Sequence, residues 1–421
     1  MICRISLLQS SKAQSGIEGW QTFLRNIRVE AFPMSPIQLG KAIIVCGLLL
    51  FASGHTRPGS REPVTDRRAE GGVDVFRRAA TLTRGMNTSG WFGSSDDYSP
   101  QHTSTQVTIA DLRTMHAMGI QFIRFPFDPV LLTPGGSNSS DNRQIWKRLD
   151  DALDMVQNAG LAVDFVVFPT DEYKRGLTTE DGARQFILLW QILAKHFSDR
   201  DPDRFFFEVI NEPRVEHSSK WIRIEIEVIK TIRQIDSRHT ILASGANWDG
   251  LEELLARDAL PDPNIIYTFH FYEPFPFTHQ GATWGASELA FYKGIPYPAT
   301  PELLAQKIKS IQDDTARYRL YLYSAGGWNR AGIRQRLAFA ADWGRERHVP
   351  VICNEFGAYR DTTPADSRAR YLEDVRSGLE KNGIGWAMWD WSGNFGLVSR
   401  KDGEVMPDAA IARALGLKRV Q

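Results

Sequence analysis

Cysteine is scarce in this sequence. Only Cys3, Cys46 and Cys353 occur among the 421 residues. Three widely spaced cysteines give no disulfide framework, and we expect unpaired thiols packed as small apolar side chains. An excess of charge of one sign is also missing, since 50 basic residues balance 50 acidic residues. The balance argues against a nucleic-acid-binding protein, and an apolar fraction of 42% excludes a disordered or collagen-like chain.

Long apolar runs are missing as well. The most apolar stretch, Ala42–Phe51, has ten residues, whereas a membrane-spanning helix needs about 20. Lys41 precedes this stretch and the small residues Ala52-Ser53-Gly54 follow it, which is the order found in a signal peptide. We therefore predict that residues 1–54 form a non-mature N-terminal segment with a signal peptide, that translation starts at Met34, and that the protein is secreted or periplasmic.

Two alternatives to this export prediction remain open. An uncleaved signal segment would anchor the protein to the membrane, and the apolar run could instead be a stray helix of a cytosolic protein. Residues 55–80, which are rich in Arg, Gly, Pro and Glu, are predicted to be a linker.

From residue 81 to residue 421, short apolar runs alternate with longer amphipathic segments, which predicts strands alternating with helices. The apolar runs have almost no polar residues, as expected for parallel strands buried on both faces. The predicted strands are Thr81–Met86, Phe122–Phe125, Ala162–Phe168, Phe205–Ile210, Thr240–Ala243, Ile265–Phe269, Pro350–Cys353 and Ile384–Met388.

Eight such units favour an α/β fold with a single (β/α)₈ TIM barrel as the catalytic domain. A doubly wound open sheet is the rival, but it usually carries G-x-G-x-x-G after its first strand. The glycines of Arg84–Trp91 lack that spacing. About 80 residues separate the sixth and seventh strands, which predicts an enlarged loop there. Thr300-Pro301 within this loop is a typical helix start.

Two glutamates follow predicted strands of this barrel. Glu212 comes after the fourth strand and Glu355 after the seventh, so both would lie at the carboxyl edge, where barrel enzymes bind substrate. Glycoside hydrolysis needs such a pair, because one carboxyl group protonates the leaving oxygen and the other acts at the anomeric carbon. Polar and aromatic residues suited to sugar binding stand at the other strand ends: Asn87, Arg124, Asn211, Trp248, His270, Tyr272 and Trp389.

Taken singly, several of these residues also have structural interpretations. Glu212 could be a carboxylate favoured by a helix dipole, His270 a satisfied core histidine, and Asn87 a turn cap. Trp389 could be part of the barrel packing. Their common position at the strand ends favours a functional site.

Four motifs in sequence order connect these residues to a known family. They are Phe205–Arg214, which contains Asn-Glu-Pro, followed by Tyr267–Pro274, Val351–Gly357 and Trp386–Trp391. Over about residues 81–415 the set resembles glycoside hydrolase family 5, the cellulase-like family of clan A. The resemblance implies a retaining mechanism with Glu212 as acid/base and Glu355 as nucleophile. It also implies that Arg124, Asn211, His270, Tyr272 and Trp389 line the subsite where the bond breaks.

One position departs from the family pattern. The family usually ends its third strand in a histidine that contacts a sugar hydroxyl, and Phe168 stands at that position here. The expected substrate is a β-1,4-glucan, while β-mannanase, exo-β-glucanase and exopolysaccharide-processing activities stay open. In the enlarged loop, Trp284 has small neighbours and is predicted to stack on a sugar ring.

Two functions of other classes are alternatives to a glycosidase. A metal-dependent hydrolase using Glu212, His270 and Glu355 finds no support in histidine or aspartate spacing, so neither a metal nor another cofactor is predicted. A non-catalytic carbohydrate-binding barrel is disfavoured because both carboxylates are present. A β-linked polysaccharide or oligosaccharide is the predicted partner, and no obligate protein partner is inferred.

Overall fold

A computed structural model describes residues 74–132, 140–215, 217–401 and 404–419. Within them, eight parallel strands pair in chain order and close into a barrel, which confirms the predicted fold class. All eight predicted strands are present, with ends shifted by a few residues. They are β1 Arg84–Asn87, β2 Phe122–Phe127, β3 Ala162–Val167, β4 Phe205–Glu208, β5 Ile241–Ala243, β6 Ile265–Phe271, β7 Val351–Phe356 and β8 Gly385–Met388.

Amphipathic helices surround the barrel. In Glu180–Phe197, for example, Phe186, Trp190, Leu193 and Phe197 recur at helical spacing and are all buried, as their periodicity predicts. The described α-helices are Val75–Ala79, Pro100–Thr105, Ile109–Met118, Ser140–Asn158, Asp171–Gly176, Glu180–Phe197, Ser218–Ile235, Ala246–Asp249, Leu251–Ala256, Phe275–Thr278, Pro301–Ser310, Asp314–Ala325, Arg330–Arg347, Ala365–Lys381 and Ala409–Ala414. A two-stranded antiparallel sheet, β9 Val398–Lys401 and β10 Glu404–Pro407, follows the barrel.

The amino-terminal end of the barrel interior is an apolar layer. Its side chains form a cluster separate from the main core: Val75, Leu82, Phe122, Ala162, Phe206, Leu242, Ile266, Ile352 and Ala387. Gly85 makes room for the Phe122 ring, because a Cβ at position 85 would lie 2.3 Å from that ring. Phe122 and Phe206 are fully buried, so this end of the barrel is closed by packed side chains.

The helix Val75–Ala79 lies within residues 55–80, which were predicted to be a linker. Its first turn is capped by Asp74, whose side chain accepts a hydrogen bond from the backbone N–H of Arg77 at 3.1 Å. Arg78 is buried and donates to Asp203 at 2.9 Å and to Thr240 at 3.1 Å. The linker prediction is therefore wrong for residues 74–80, because the ordered fold begins earlier than the first strand.

The enlarged segment between β6 and β7 is confirmed, but it is largely helical. Thr300 caps the predicted helix Pro301–Ser310 by accepting from the backbone N–H of Leu303 at 3.3 Å. Phe277, Tyr292 and Tyr297 are fully buried and belong to the main hydrophobic core of the domain. The rings of Phe277 and Tyr297 both contact Tyr371 of the helix Ala365–Lys381, so they pack the insertion onto the barrel. Several of its aromatics therefore serve packing, as a segment of this length requires.

No helix among the described residues is long and apolar enough to cross a membrane. The predicted signal peptide and start site in residues 1–54 lie outside the described residues, as do Cys3 and Cys46. Cys353 is buried and unpaired, in agreement with the prediction for that residue.

Candidate active site

Arg124 is at the centre of the polar carboxyl-terminal half of the barrel. From β2 it donates to Glu208 through Nε at 2.7 Å and Nη2 at 2.6 Å. It also donates to Asn87 at 3.1 Å, to Glu355 at 2.5 Å and to Asn211 at 2.9 Å. These five bonds match the five N–H donors of a guanidinium, so every N–H of this fully buried side chain has a hydrogen-bond acceptor.

Glu355 is held from two sides at the end of β7. Arg124 donates to its Oε1, and the Tyr272 hydroxyl donates to its Oε2 at 2.9 Å. Its side chain is only 5% exposed. Charge-assisted bonds of this kind favour the ionised form of a carboxyl group and fix its orientation.

Glu212 is less constrained and more open. Its side chain is 20% exposed, and His270 is its one hydrogen-bond partner among the described residues, at 3.0 Å. The backbone φ of Glu212 is +46°, in the left-handed region that costs a non-glycine residue roughly 1–2 kcal/mol. Strained residues of this kind concentrate at functional sites, since the surrounding structure must hold them in place.

His270 bridges the two glutamates. Its Nδ1 lies 3.0 Å from Glu212 Oε1 and 3.5 Å from Glu355 Oε2. Burial lowers the pKa of His270 to about 4, so the ring is neutral over the working range of most enzymes. Because both neighbours are acceptors, the single ring proton is assigned to Nδ1, which donates to the carboxylates.

Burial raises the pKa of both glutamates above the ordinary value. For Glu212 the charges of Lys174 and Arg124 oppose this rise, and for Glu355 the charge of Arg124 opposes it. Glu355 also receives the Tyr272 hydroxyl, which lowers its pKa further. The arrangement can therefore hold one carboxylate ionised beside a second that exchanges a proton with the cleft.

The two asparagines predicted to bind substrate take different positions. Asn87 is fully buried, accepts from Arg124, and donates to the carbonyls of Asn354 at 2.9 Å and Met388 at 3.2 Å. Its amide has no donor left for a sugar, so its prediction as a substrate-binding residue is wrong and it positions Arg124 instead. Asn211 accepts from Arg124 through Oδ1, while its Nδ2 has no partner in the described part of the chain.

An aromatic wall lines one side of the cleft. The Trp389 ring stacks on Phe168 at 5.6 Å between centroids and 16° between planes. The ammonium of Lys174 lies 5.6 Å from the centroid of the same Phe168 ring. The phenylalanine that replaces the expected third-strand histidine thus supports Trp389, and it brings a lysine that sequence reasoning missed to the same wall.

The predicted platforms Trp248 and Trp284 are both at the rim. Each is 47% exposed, as a ring-stacking role requires. The Arg214 guanidinium lies 4.3 Å from the centre of the Trp248 ring, which places this tryptophan beside the Asn-Glu-Pro turn. Trp284 packs edge-to-face on His279 at 5.4 Å, and His279 in turn contacts Tyr272 at 5.0 Å.

Several residues of the site carried little sequence signal. Glu208 could have been noticed as the one acidic residue within the apolar strand Phe205–Glu208. Lys174 and Arg214 lie in segments rich in charged residues, where nothing distinguishes a buried side chain from a solvated one.

Glu212, His270 and Glu355 also satisfy the geometry of a possible cation site, with one donor atom of each within 4.8 Å of the others. Arg124 already places its positive charge on Glu355. The cluster is therefore electrostatically satisfied by protein groups, and a chelator arm in the assays below tests the metal alternative directly.

The fold and this site together define the class of protein. A closed (β/α)₈ barrel with two carboxyl groups at its carboxyl edge, flanked by exposed tryptophans, is the architecture of a barrel glycoside hydrolase. Residues 77–395 match the cellulase family, glycosyl hydrolase family 5. The chain belongs to this family and is a glycoside hydrolase.

Individual relatives agree with this assignment. Endoglucanase C of Acetivibrio thermocellus is 30% identical over 319 residues, which cover 73% of this chain and 90% of that protein. Endoglucanase 3 of Fibrobacter succinogenes is 26% identical over 358 residues, or 80% of this chain and 53% of that protein. A structure of Thermotoga maritima Cel5A in complex with cellobiose shares the fold, with a TM-score of 0.67, 23% identity, and coverage of 81% and 100% of the two chains.

Proposed function

We propose that the protein hydrolyses β-1,4-glucan with retention of anomeric configuration, with Glu355 as nucleophile and Glu212 as general acid/base. The observation that carries the proposal is the unequal bonding of two adjacent carboxyl groups. Their oxygens come within 4.8 Å of each other, which suits the separation of about 5–5.5 Å in retaining enzymes better than the wider spacing of inverting ones.

The bonding supports one assignment of roles over the other. Glu355 accepts from Arg124 and Tyr272, both of which favour its ionised form, as a nucleophile needs. Glu212 makes a single bond, to His270, and is the more exposed of the two. It can therefore give its proton to the leaving oxygen and later take one from water.

Proton NMR of the first-formed product tests the stereochemistry. We expect the β-anomer of the new reducing end to appear first and then to mutarotate, with the same rate in the presence of EDTA. Initial formation of the α-anomer would contradict the double displacement, and loss of activity with EDTA would favour a metal-dependent reaction.

Substrates with different leaving groups distinguish the roles of the two glutamates. Glu212→Gln removes the acid, so it should slow polysaccharide cleavage by about 10²–10⁴-fold. Aryl glycosides with acidic phenol leaving groups need little proton donation, because the phenolate departs without a proton. For these substrates the rate of glycosyl-enzyme formation, measured as the burst of phenol, should fall far less. Equal losses on both substrates would contradict the role of Glu212.

The substrate is supported by the relatives, several of which are named endoglucanases. Rates on cello-, manno- and laminari-oligosaccharides of the same length test it. We expect cello-oligosaccharides to be cleaved fastest, and a preference for either other series would reassign the enzyme while leaving the chemistry intact.

Export is part of the same proposal. The order of Lys41, the apolar run Ala42–Phe51 and the small residues after it supports a cleaved signal peptide. N-terminal sequencing of protein exported by a bacterial host should give a start near His55. A chain that begins at Met1 and stays in the cytosol would contradict export.

A further inference from the structure

Lys174 is a buried lysine that the proposed chemistry does not use. It lies on the short helix Asp171–Gly176 after β3, and only 3% of the residue is exposed. Its ammonium makes no hydrogen bond or ion pair with any residue that the structure describes, and it lies 5.6 Å from the centroid of the Phe168 ring. The stem of the side chain is buried, but Nζ is not among the fully buried polar atoms that lack a partner, so the ammonium keeps accessible surface and can donate to a ligand.

The surroundings of Lys174 place it at the reacting bond. Burial lowers its pKa, and the groups that act on its charge are Glu212, Asp171 and Glu355, which favour the ammonium, and Arg124, which opposes it. The aromatic ring beneath the ammonium is the one that stacks on Trp389. Lys174 therefore lies beside the Phe168–Trp389 wall, close enough to both proposed catalytic glutamates for their charges to act on its ammonium.

The chemistry of this environment selects the class of partner. An anionic sugar would bring a carboxylate toward Glu212, Asp171 and Glu355, whose charges repel it. A neutral hydroxyl accepts a charge-assisted hydrogen bond from the ammonium without adding negative charge.

We propose that Lys174 donates a hydrogen bond to a hydroxyl of the sugar residue at the bond being cut, and so determines how the substrate is seated between Glu212 and Trp389. This role rests on the proposed function of the site. Phe168 has no polar atom to offer a sugar hydroxyl, and the ammonium of Lys174, from the neighbouring helix, lies 5.6 Å from the centre of its ring.

A double-mutant cycle, in which one change is made in the enzyme and the other in the substrate, tests the hydrogen bond. Wild type and Lys174→Met are assayed on an aryl β-cellobioside and on analogues that lack one hydroxyl each on the sugar at the cleaved bond. We expect Lys174→Met to lower kcat/KM about tenfold or more on the parent. On the analogue without the contacted hydroxyl, the same substitution should have an effect of less than about threefold, since the partner is already gone. If Lys174→Met lowers kcat/KM by the same factor on the parent and on every analogue, the proposal is overturned.

A matched control separates the contact from the stability of the helix. Arg175 is exposed on the same short helix, so Arg175→Met removes a neighbouring charge without reaching the cleft. Its kcat/KM should stay within twofold of wild type, and a loss equal to that of Lys174→Met would overturn the proposal. If Lys174→Met fails to fold, Lys174→Gln, which keeps a polar head, is used in the same cycle.

The pH profile gives an independent reading. Because the charge of Lys174 lowers the pKa of Glu212, the methionine variant should lose activity at higher pH than wild type on the alkaline side. An unchanged alkaline limb would place the ammonium away from Glu212 and overturn the proposal. Wild-type protein without activity on any β-glucan would refute the proposed function, whereas an active wild type with additive losses would refute only the role of Lys174.

Discussion

The two ends of the barrel interior have opposite chemistry. At the amino-terminal end, Phe122 and Phe206 belong to an apolar layer that is fully buried. At the carboxyl-terminal end, the alternate positions of the same strands β2 and β4 carry Arg124 and Glu208, which bind each other at 2.6 Å. Two residues along a strand therefore separate a region that only packs from a region that carries charge.

The difference shows how one barrel serves stability and catalysis. Apolar packing at one end contributes free energy without any constraint on hydrogen-bond geometry. Charged groups at the other end are stable only while each keeps its partners, because an unpaired buried charge is strongly destabilising. We expect substitutions at the two ends to separate activity from stability, and the following predictions test that separation.

The largest effect on activity is expected at the carboxyl-terminal end. Glu355→Gln should reduce kcat by at least about 10³-fold, because the amide cannot act as nucleophile. The variant should remain folded, since the amide is isosteric: its oxygen can still accept from Arg124, and the Tyr272 hydroxyl can turn to accept from its NH₂ group. Turnover and the melting temperature, measured on the same preparation, check both statements, and a folded variant with more than a tenth of wild-type turnover would remove Glu355 from the mechanism.

The matching change at the amino-terminal end is Phe206→Ala. Removing a fully buried phenylalanine should lower the free energy of unfolding by about 3–5 kcal/mol. The kcat of the folded fraction at low temperature should stay within about twofold of wild type, because the polar groups above are unchanged. Denaturant unfolding beside active-site titration makes the measurement, and a large fall in kcat at full folding would show that the two ends are coupled.

A smaller effect is expected at the rim of the carboxyl-terminal end. Trp284→Ala should raise KM by about tenfold, with little change in kcat, if the ring binds ground and transition states alike. The penalty should appear only for cello-oligosaccharides long enough to reach this exposed ring. A loss independent of chain length would assign Trp284 to packing against His279.

A small effect on turnover is also expected for Asp164→Asn. Asp164 is fully buried in β3, and neither carboxyl oxygen has a hydrogen-bond partner among the described residues. Burial and the charge of Glu208 raise the pKa of Asp164 well above its usual value, which favours the neutral acid in the folded protein. An asparagine resembles that neutral acid, and kcat should change by less than about threefold.

The same substitution has a pH signature in stability. In wild type, the folded state keeps the Asp164 proton at pH values where the unfolded chain has released it. Stability is therefore lost as the pH rises from about 4 toward the folded-state pKa, by up to about 1.4 kcal/mol per pH unit. The asparagine variant has no such titration. Its free energy of unfolding relative to wild type, measured by urea unfolding at a series of pH values, should therefore increase with pH across that window. A constant difference would mean that Asp164 is ionised in the fold.

The strand pattern was readable from sequence because buried parallel strands are short apolar runs with few polar interruptions. For the same reason the ends of β6 and β7, which carry polar residues such as His270 and Asn354, were predicted too early. The end of β2 was predicted before Pro126, since proline disfavours a strand interior. The helix Val75–Ala79 was missed since two of its five residues are arginines, and only the structure shows that Arg78 is buried.

The candidate site was predictable where a residue type is rare at its position. Glu212 and Glu355 stand at the ends of apolar strands, and the ordered motifs around them identified the family. Asn87 was misplaced because sequence order locates a strand end but does not show whether an amide points to the cleft or to a guanidinium. Lys174 gave no signal, as its burial depends on the packing of Phe168 and Trp389.

The five hydrogen bonds of Arg124 affect the rate of the reaction, because they fix the active-site groups before the substrate binds. A side chain whose every N–H is engaged, on partners that include Glu208, Asn211 and Glu355, cannot change rotamer without breaking several bonds at once. The carboxylate at position 355 is therefore preorganised before a glycan enters the cleft. Water and side chains around it need little reorientation as charge moves, and such preorganisation is a major source of rate enhancement in enzymes.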